Sequence, residues 1–231
     1  MLQLMKLEMK KFKLGWYVKG TIIANILMVA LLFFVGYVSQ IEGGLELRNS
    51  QMMLLMASTM VRGTFIVFAG VLIAKLVIEE YKNRTILLMF SYPINRKKII
   101  ASKLLITAML TFITVVLSNI FVVSVFFMLN SYMLVIPNTI TIDALIQESI
   151  KVVPFAIAAA GTSLIPLYFG MRKYSVPTTI LSSLVVVAIA CQNQPEFSPA
   201  TFLPLQFALA AIGIIIAYYG IKNIENEDIA A

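Results

Sequence analysis

The sequence predicts an all-α membrane protein. It has six transmembrane helices, an amphipathic interfacial helix at its N-terminus and a short cytoplasmic helix between spans two and three. Three observations carry this reading. Of 231 residues, 60% are hydrophobic and 13% charged, against about 45–50% and about 25% in soluble domains. Uncharged runs of helical membrane-crossing length recur along the chain, and the 18 Lys and Arg cluster between them. The mean hydropathy of +0.93 excludes intrinsic disorder, which needs low hydrophobicity and high net charge.

Composition also limits chemistry. With no His and one Cys, the chain lacks the ligands of most metal sites, the Ser-His-Asp and Cys-His nucleophile systems and any intrachain disulfide. No catalytic, cofactor-binding or metal residue is assigned. The +7 net charge belongs to membrane topology, and no nucleic-acid partner is expected.

Residues 1–19 form the first element. Leu2, Met5, Met9, Phe12 and Trp16 recur at helical spacing, with Lys6, Lys10 and Lys13 on another face. Such a helix lies flat on the membrane surface, Trp16 at headgroup depth and the lysines toward anionic lipid, ending near Gly15 or Gly20. It serves either as a topology anchor or as a lever joining a cytoplasmic partner to span one.

Residues 20–231 read as one membrane domain. Roughly 20 apolar residues cross a hydrocarbon core of about 30 Å, which places spans at about 20–40, 54–76, 104–129, 152–171, 176–192 and 202–221. Asn130, Pro137 and Asn138 end span three. The first apolar run is too long for a signal-peptide core, so it is expected to stay.

Orientation follows from the cations. The N-terminal arm, the second-to-third connection with Lys75, Lys82, Arg84, Arg96, Lys97, Lys98 and Lys103, then Arg172, Lys173 and Lys222 all fall on one side. Arg48 and Lys151 face the other, among Glu42, Glu46, Asp143, Glu148 and Glu196. Cytoplasmic loops retain Lys and Arg, so both termini are expected in the cytoplasm.

The connection 79–103 is the most informative stretch. Glu79 and Glu80 close span two, and Thr85 can cap a short helix carrying Ile86, Leu87, Leu88, Met89 and Phe90. Pro93 ends it, and Arg96 starts span three at the headgroups. Five apolar residues flanked by charge need burial, either in the lipid interface or in a groove on another protein.

Within the spans, Arg62 lies 13 residues before Lys75, about 20 Å by helical rise. It either snorkels outward or pairs with an outer acid, or else contacts substrate or gates the path. Thr107, Thr111, Thr114 and Ser118 share one side of span three with Asn119 adjacent; they bond to backbone or neighbouring helices, or line a path. In span four, Ala158, Ala159, Ala160 and Gly161 precede Pro166, a pattern for close packing or for a hinge. The 192–203 connection carries Phe197 and Phe202 between prolines, as an ordinary interfacial loop or as a gate.

The segment Glu80-Tyr-Lys-Asn-Arg84-Thr85, then Ile86 to Phe90, then Ser91-Tyr92-Pro93-Ile94-Asn95-Arg96, resembles the stretch after the second span in ABC-2-type transporter permeases. Arg84 stands where that pattern has Gly. The basic arm, six spans, internal termini and length also fit. The resemblance implies that Glu79 to Arg96 couples the spans to a separate ATP-binding cassette subunit, which would bind the ATP and Mg. It further implies a second permease subunit, identical or different, in a bacterial cytoplasmic membrane. No phosphate-binding G-x-x-x-x-G-K-[ST] loop occurs in this chain. Spans with almost no buried charge suit an amphiphilic cargo, and short permeases of this layout resemble those of peptide-export and antimicrobial-peptide immunity systems. Two other classes stand beside this reading. A lipid-acting membrane enzyme would have only Glu79 and Glu80 as paired acids. A channel, or a sensory or assembly subunit, would not need the apolar cytoplasmic helix.

Overall fold

The structure, a computed structural model, describes residues 15–42, 50–83, 96–133, 142–192 and 199–227. All regular structure among these residues is helical. In chain order the elements are α1 (Gly15–Glu42), α2 (Ser50–Ile73), a π-helical turn (Ala74–Ile78), α3 (Glu79–Lys82), α4 (Arg96–Met133), α5 (Ile142–Thr162), α6 (Pro166–Lys173), α7 (Val176–Ala190) and α8 (Leu203–Glu227). Helices suit these sequences because no water in a bilayer core can satisfy backbone groups, and a helix pairs its own.

Five stretches are long and apolar enough to cross a membrane: Gly15–Ser39, Gln51–Lys82, Lys97–Asn130, Glu148–Lys173 and Leu203–Lys222. The expected fifth span, 176–192, corresponds to the 15-residue apolar α7, about 22 Å long by helical rise and shorter than the other five. It stops at Ala190 because Cys191 leaves helical geometry, with φ −104° and ψ 7°. Other boundaries also move. α1 runs through Gly20 without a break, and α4 extends from Arg96 to Met133, beyond the expected 104–129 at both ends.

α2 is the centre of the bundle. It packs against α1, α4, α5 and α7. Its apolar window is 72% buried, whereas those of α1 and α4 are 28% buried and that of α8 is 22%. The peripheral helices therefore keep apolar side chains outside as well as inside, among them Ile22, Leu117 and Ile215, as helices surrounded by lipid do. Two apolar cores stack along α2. One gathers Leu32, Val61, Phe65, Val122 and Phe126; the other gathers Tyr17, Leu72, Leu76, Ile100 and Leu104.

The small-residue stretch of span four is a packing device. A Cβ added at Gly161 would sit 2.6 Å from the Ala210 Cβ, and one at Gly213 only 2.1 Å from the Gly161 carbonyl oxygen. These positions let α5 and α8 approach backbone to backbone. α5 ends at Thr162, and Leu164 and Ile165 close tight turns onto Gly161 and Thr162 at 3.1 Å each before Pro166 opens α6. Proline is at home there, in the first helical turn, where its missing N–H has no intrahelical partner to lose.

Candidate functional site

Two polar clusters interrupt the apolar bundle, one just beyond the C-terminal end of α2 and one at its middle. The first lies at the base of the connection between spans two and three. The Lys103 side chain is 1% exposed. Its Nζ donates to the Leu76 carbonyl at 3.0 Å and forms an ion pair with Glu80. The π-helical turn supplies this acceptor region. There the Glu79 N–H bonds back to the Ala74 carbonyl, five residues earlier, a register that leaves a carbonyl of the turn without its usual helical partner. A lysine on α4 thus fastens to both the π turn and α3. Sequence reasoning placed Lys103 among the surface cations. It is instead fully buried, because the inward face of α4, with Ile100, Leu104 and Thr107, faces α2.

Aromatic contacts surround the same end. Lys75 Nζ sits 4.0 Å from the centroid of the Trp16 ring, a cation–π contact. Tyr81 stacks on Tyr174 with centroids 5.7 Å apart. Tyr174 is the left-handed C-cap of α6, at φ 44° and ψ 40°. The Tyr17 hydroxyl lies 3.1 Å from Thr114 Oγ1, whose own proton goes to the Leu110 carbonyl at 2.7 Å. Trp16, Lys75, Glu79, Glu80, Lys103 and Tyr174 therefore gather at one basic end.

The second cluster lies farther back along α2, around Arg62 at its middle. Of the alternatives for this guanidinium, outward snorkelling is the one the structure does not show: Arg62 is 5% exposed and held inward. Nε donates to the Ser58 carbonyl at 3.1 Å, Nη1 to the Ala200 carbonyl at 3.0 Å and Nη2 to Thr59 Oγ1 at 3.3 Å. Its centre lies 4.2 Å from the Phe155 ring centroid. A charge in the bundle costs several kcal/mol unless paired or solvated by the protein, and these carbonyls and the ring supply that solvation. The arginine also ties α2 to the turn before α8. Gln206 adds a second tie, donating to the Ala190 carbonyl at 2.7 Å and the Pro199 carbonyl at 2.9 Å.

Beside Arg62 is a cavity of about 120 Å³, lined among others by Asn119, Glu148, Lys151 and Thr201. Glu148 belongs to the acids expected as Arg62 partners, and it faces the same cavity. Its Oε1 lies 3.1 Å from the Ser58 hydroxyl, and its Oε2 lies 3.7 Å from Lys151 Nζ.

The remaining sequence candidates distribute as follows. Thr107 and Thr111 are buried and bond to the Lys103 and Thr107 carbonyls at 3.1 and 2.8 Å, so these hydroxyls satisfy themselves on their own helix. Ser118 is buried, Asn119 reaches the cavity, and Phe202 is 49% exposed. Glu79 is exposed. Arg96 opens α4. Lys6, Lys10, Phe12, Lys13, Thr85, Ile86, Leu87, Met89, Phe90, Pro93 and Phe197 lie outside the described residues. Lys103 and Gln206 were missed as site residues. The available signal for Lys103 was its four-residue spacing from Thr107, which puts both on one helix face.

The sequence pattern of ABC-2 family transporter proteins matches residues 4–190 of this chain. The chain is also 44% identical over 227 residues to the uncharacterized protein YcbO of Bacillus subtilis (strain 168), a match covering 98% of this chain and all of YcbO. No solved structure matches it significantly.

Proposed function

The chain belongs to the ABC-2 family of transporter proteins, and on that premise we propose that it is the membrane-spanning permease subunit of an ATP-driven exporter. The family is a membrane transport component that works with an ATP-binding subunit. In this reading the ATPase closes on ATP and Mg, pushes on residues 84–95, and the push enters the bundle through the stems of that connection. Six spans with both termini in the bacterial cytoplasm, an interfacial N-terminal helix and a second permease subunit complete the proposal. The cargo is an amphiphile such as an antimicrobial peptide.

One observation carries the coupling role. The two stems of the apolar connection are fastened by the Lys103–Glu80 pair, so a displacement of residues 84–95 moves α2 and α4 together. Buried polar groups in a bundle are costly, and this one sits where mechanical transmission needs it. The chain has no phosphate loop of its own, and the proposal gives hydrolysis to the partner.

The test is reconstitution with the co-purified ATPase in proteoliposomes loaded with a dye-labelled amphipathic cationic peptide. ATP-dependent movement of the label across the membrane is expected. Absence of movement with this and other amphiphiles, with ATPase activity intact and indifferent to them, would reject the exporter reading in favour of a sensory or assembly subunit.

A further inference from the structure

We propose that the cleft between α6 and α8 at the basic end is a binding site for an anionic glycerophospholipid. This inference rests on the membrane setting and the cleft alone, and stands whether the cargo is a peptide or not. The cleft, about 730 Å³, is lined by Leu167, Tyr168, Met171 and Arg172 of α6 and by Ile216, Tyr219 and Gly220 of α8. Its size falls within the roughly 300–1,000 Å³ of ligand-binding clefts.

The lining is graded in polarity along the helices. Leu167 is buried and Ile216 half-buried, forming an apolar floor. Tyr168 and Tyr219 stand at the sides, 51% and 57% exposed. Arg172 is exposed at the mouth, one residue before the end of α6, and Lys222 is exposed two residues beyond Gly220. The Tyr81–Tyr174 stack fixes this mouth beside α3, at the end where Lys75 and Lys103 also lie.

That gradient matches one class of molecule. Arginine presents a planar fork of N–H donors that suits a phosphodiester. Tyrosine hydroxyls at the membrane interface suit glycerol and ester oxygens, and the apolar floor suits an acyl chain. Excess cationic charge at the mouth favours a headgroup with net negative charge over a zwitterionic one. Gly220 keeps the floor open, since a Cβ there would already touch Leu167 Cδ2 at 3.4 Å, and a longer side chain would occupy the acyl volume. α8 turns Ile212, Ile215 and Tyr218 outward beside it, so the cleft opens toward lipid.

The experiment is native mass spectrometry of the detergent-solubilised full-length chain titrated with phosphatidylglycerol or with phosphatidylcholine. Phosphatidylglycerol should be retained preferentially. Arg172→Gln and Gly220→Leu should each weaken retention about tenfold, the loss of one charge-assisted contact or of the acyl volume. Lys98→Gln, which removes an exposed cation at the same end outside the cleft, should leave retention unchanged. Should Gly220→Leu fail to fold, the exposed Arg172→Gln carries the test. Equal retention of the two lipids, or equal losses in Arg172→Gln and Lys98→Gln, would overturn the site in favour of diffuse charge attraction. Disulfide cross-linking of Gly220→Cys between copies, with lipid retention insensitive to Arg172→Gln, would overturn it in favour of a contact between two copies.

Discussion

The buried Lys103 of α4 and the partly buried Glu80 of α3 form an ion pair across the two stems of the connection between spans two and three. The same ammonium group donates to the Leu76 carbonyl in the π-helical turn. One side chain thus links three elements at the place where the bundle meets the segment read as the ATPase contact.

Replacing Lys103 by Met keeps its length and removes its charge. It removes the cation from the partly buried Glu80 and the donor from the Leu76 carbonyl, so a loss of about 1–3 kcal/mol is expected, the usual cost of losing a hydrogen bond to a charged group. The double variant Lys103→Met with Glu80→Gln should recover part of that stability while transport stays impaired. Thermal unfolding in detergent measures the first effect and ATP-dependent efflux the second. Full transport in a stable double variant would show that the pair only holds the fold.

Arg62 is expected to behave as a strut. Arg62→Leu removes three donated hydrogen bonds. It leaves the Ala200 carbonyl without its donor, at about 1–3 kcal/mol for a buried group, while the Ser58 carbonyl keeps the N–H of residue 62 within the helix. Arg62→Lys keeps the charge but cannot reproduce the fork, so it should fall between wild type and Leu. Normal stability and transport in Arg62→Leu would remove any role for the cluster.

Gly213 tests the crossing of α5 and α8. Gly213→Ala puts a Cβ at 2.1 Å from the Gly161 carbonyl oxygen, and that oxygen is backbone. The helices must separate, and a destabilisation of about 1–3 kcal/mol is expected, read as a lowered unfolding temperature. Gly220→Ala, at an ordinary 3.4 Å from Leu167 Cδ2, should be neutral in the same assay.

Asn25 predicts a gain. Its Oδ1 is buried in α1 and finds no hydrogen-bond partner among the described residues. Asn25→Leu removes the unsatisfied acceptor at similar volume and should stabilise the fold by about 1–3 kcal/mol. A lower unfolding temperature would mean that the amide has a partner in the working protein.

The fold was largely legible because lipid imposes one rule on every span: an uncharged run long enough to cross, closed by cations. That rule located α1, α2, α4, the α5–α6 pair and α8. It ended α7 two residues late, because Cys191 and Gln192 carry no charge to mark where the helix stops. The site was less legible. Periodicity put Thr107 and Thr111 on one face, but it could not say that this face looks at α2 rather than at a path. It also could not show that Lys103 reaches inward, since a lysine near a span end reads as a headgroup cation until its neighbour on another helix is known. Arg62 illustrates the converse. The sequence flagged the charge and named Glu148 among its outer partners, but its acceptors on α2 and at Ala200 depend on a turn 138 residues away.

The most direct test of the account is an affinity pull-down of the tagged chain from gently solubilised native membranes, with mass spectrometry and ATPase activity measured on the eluate. A stoichiometric ATP-binding subunit is predicted, and it should be lost when Leu87, Met89 and Phe90 are together changed to Ser while the chain still inserts. Recovery of the chain without any nucleotide-binding partner across several mild detergents would contradict the account.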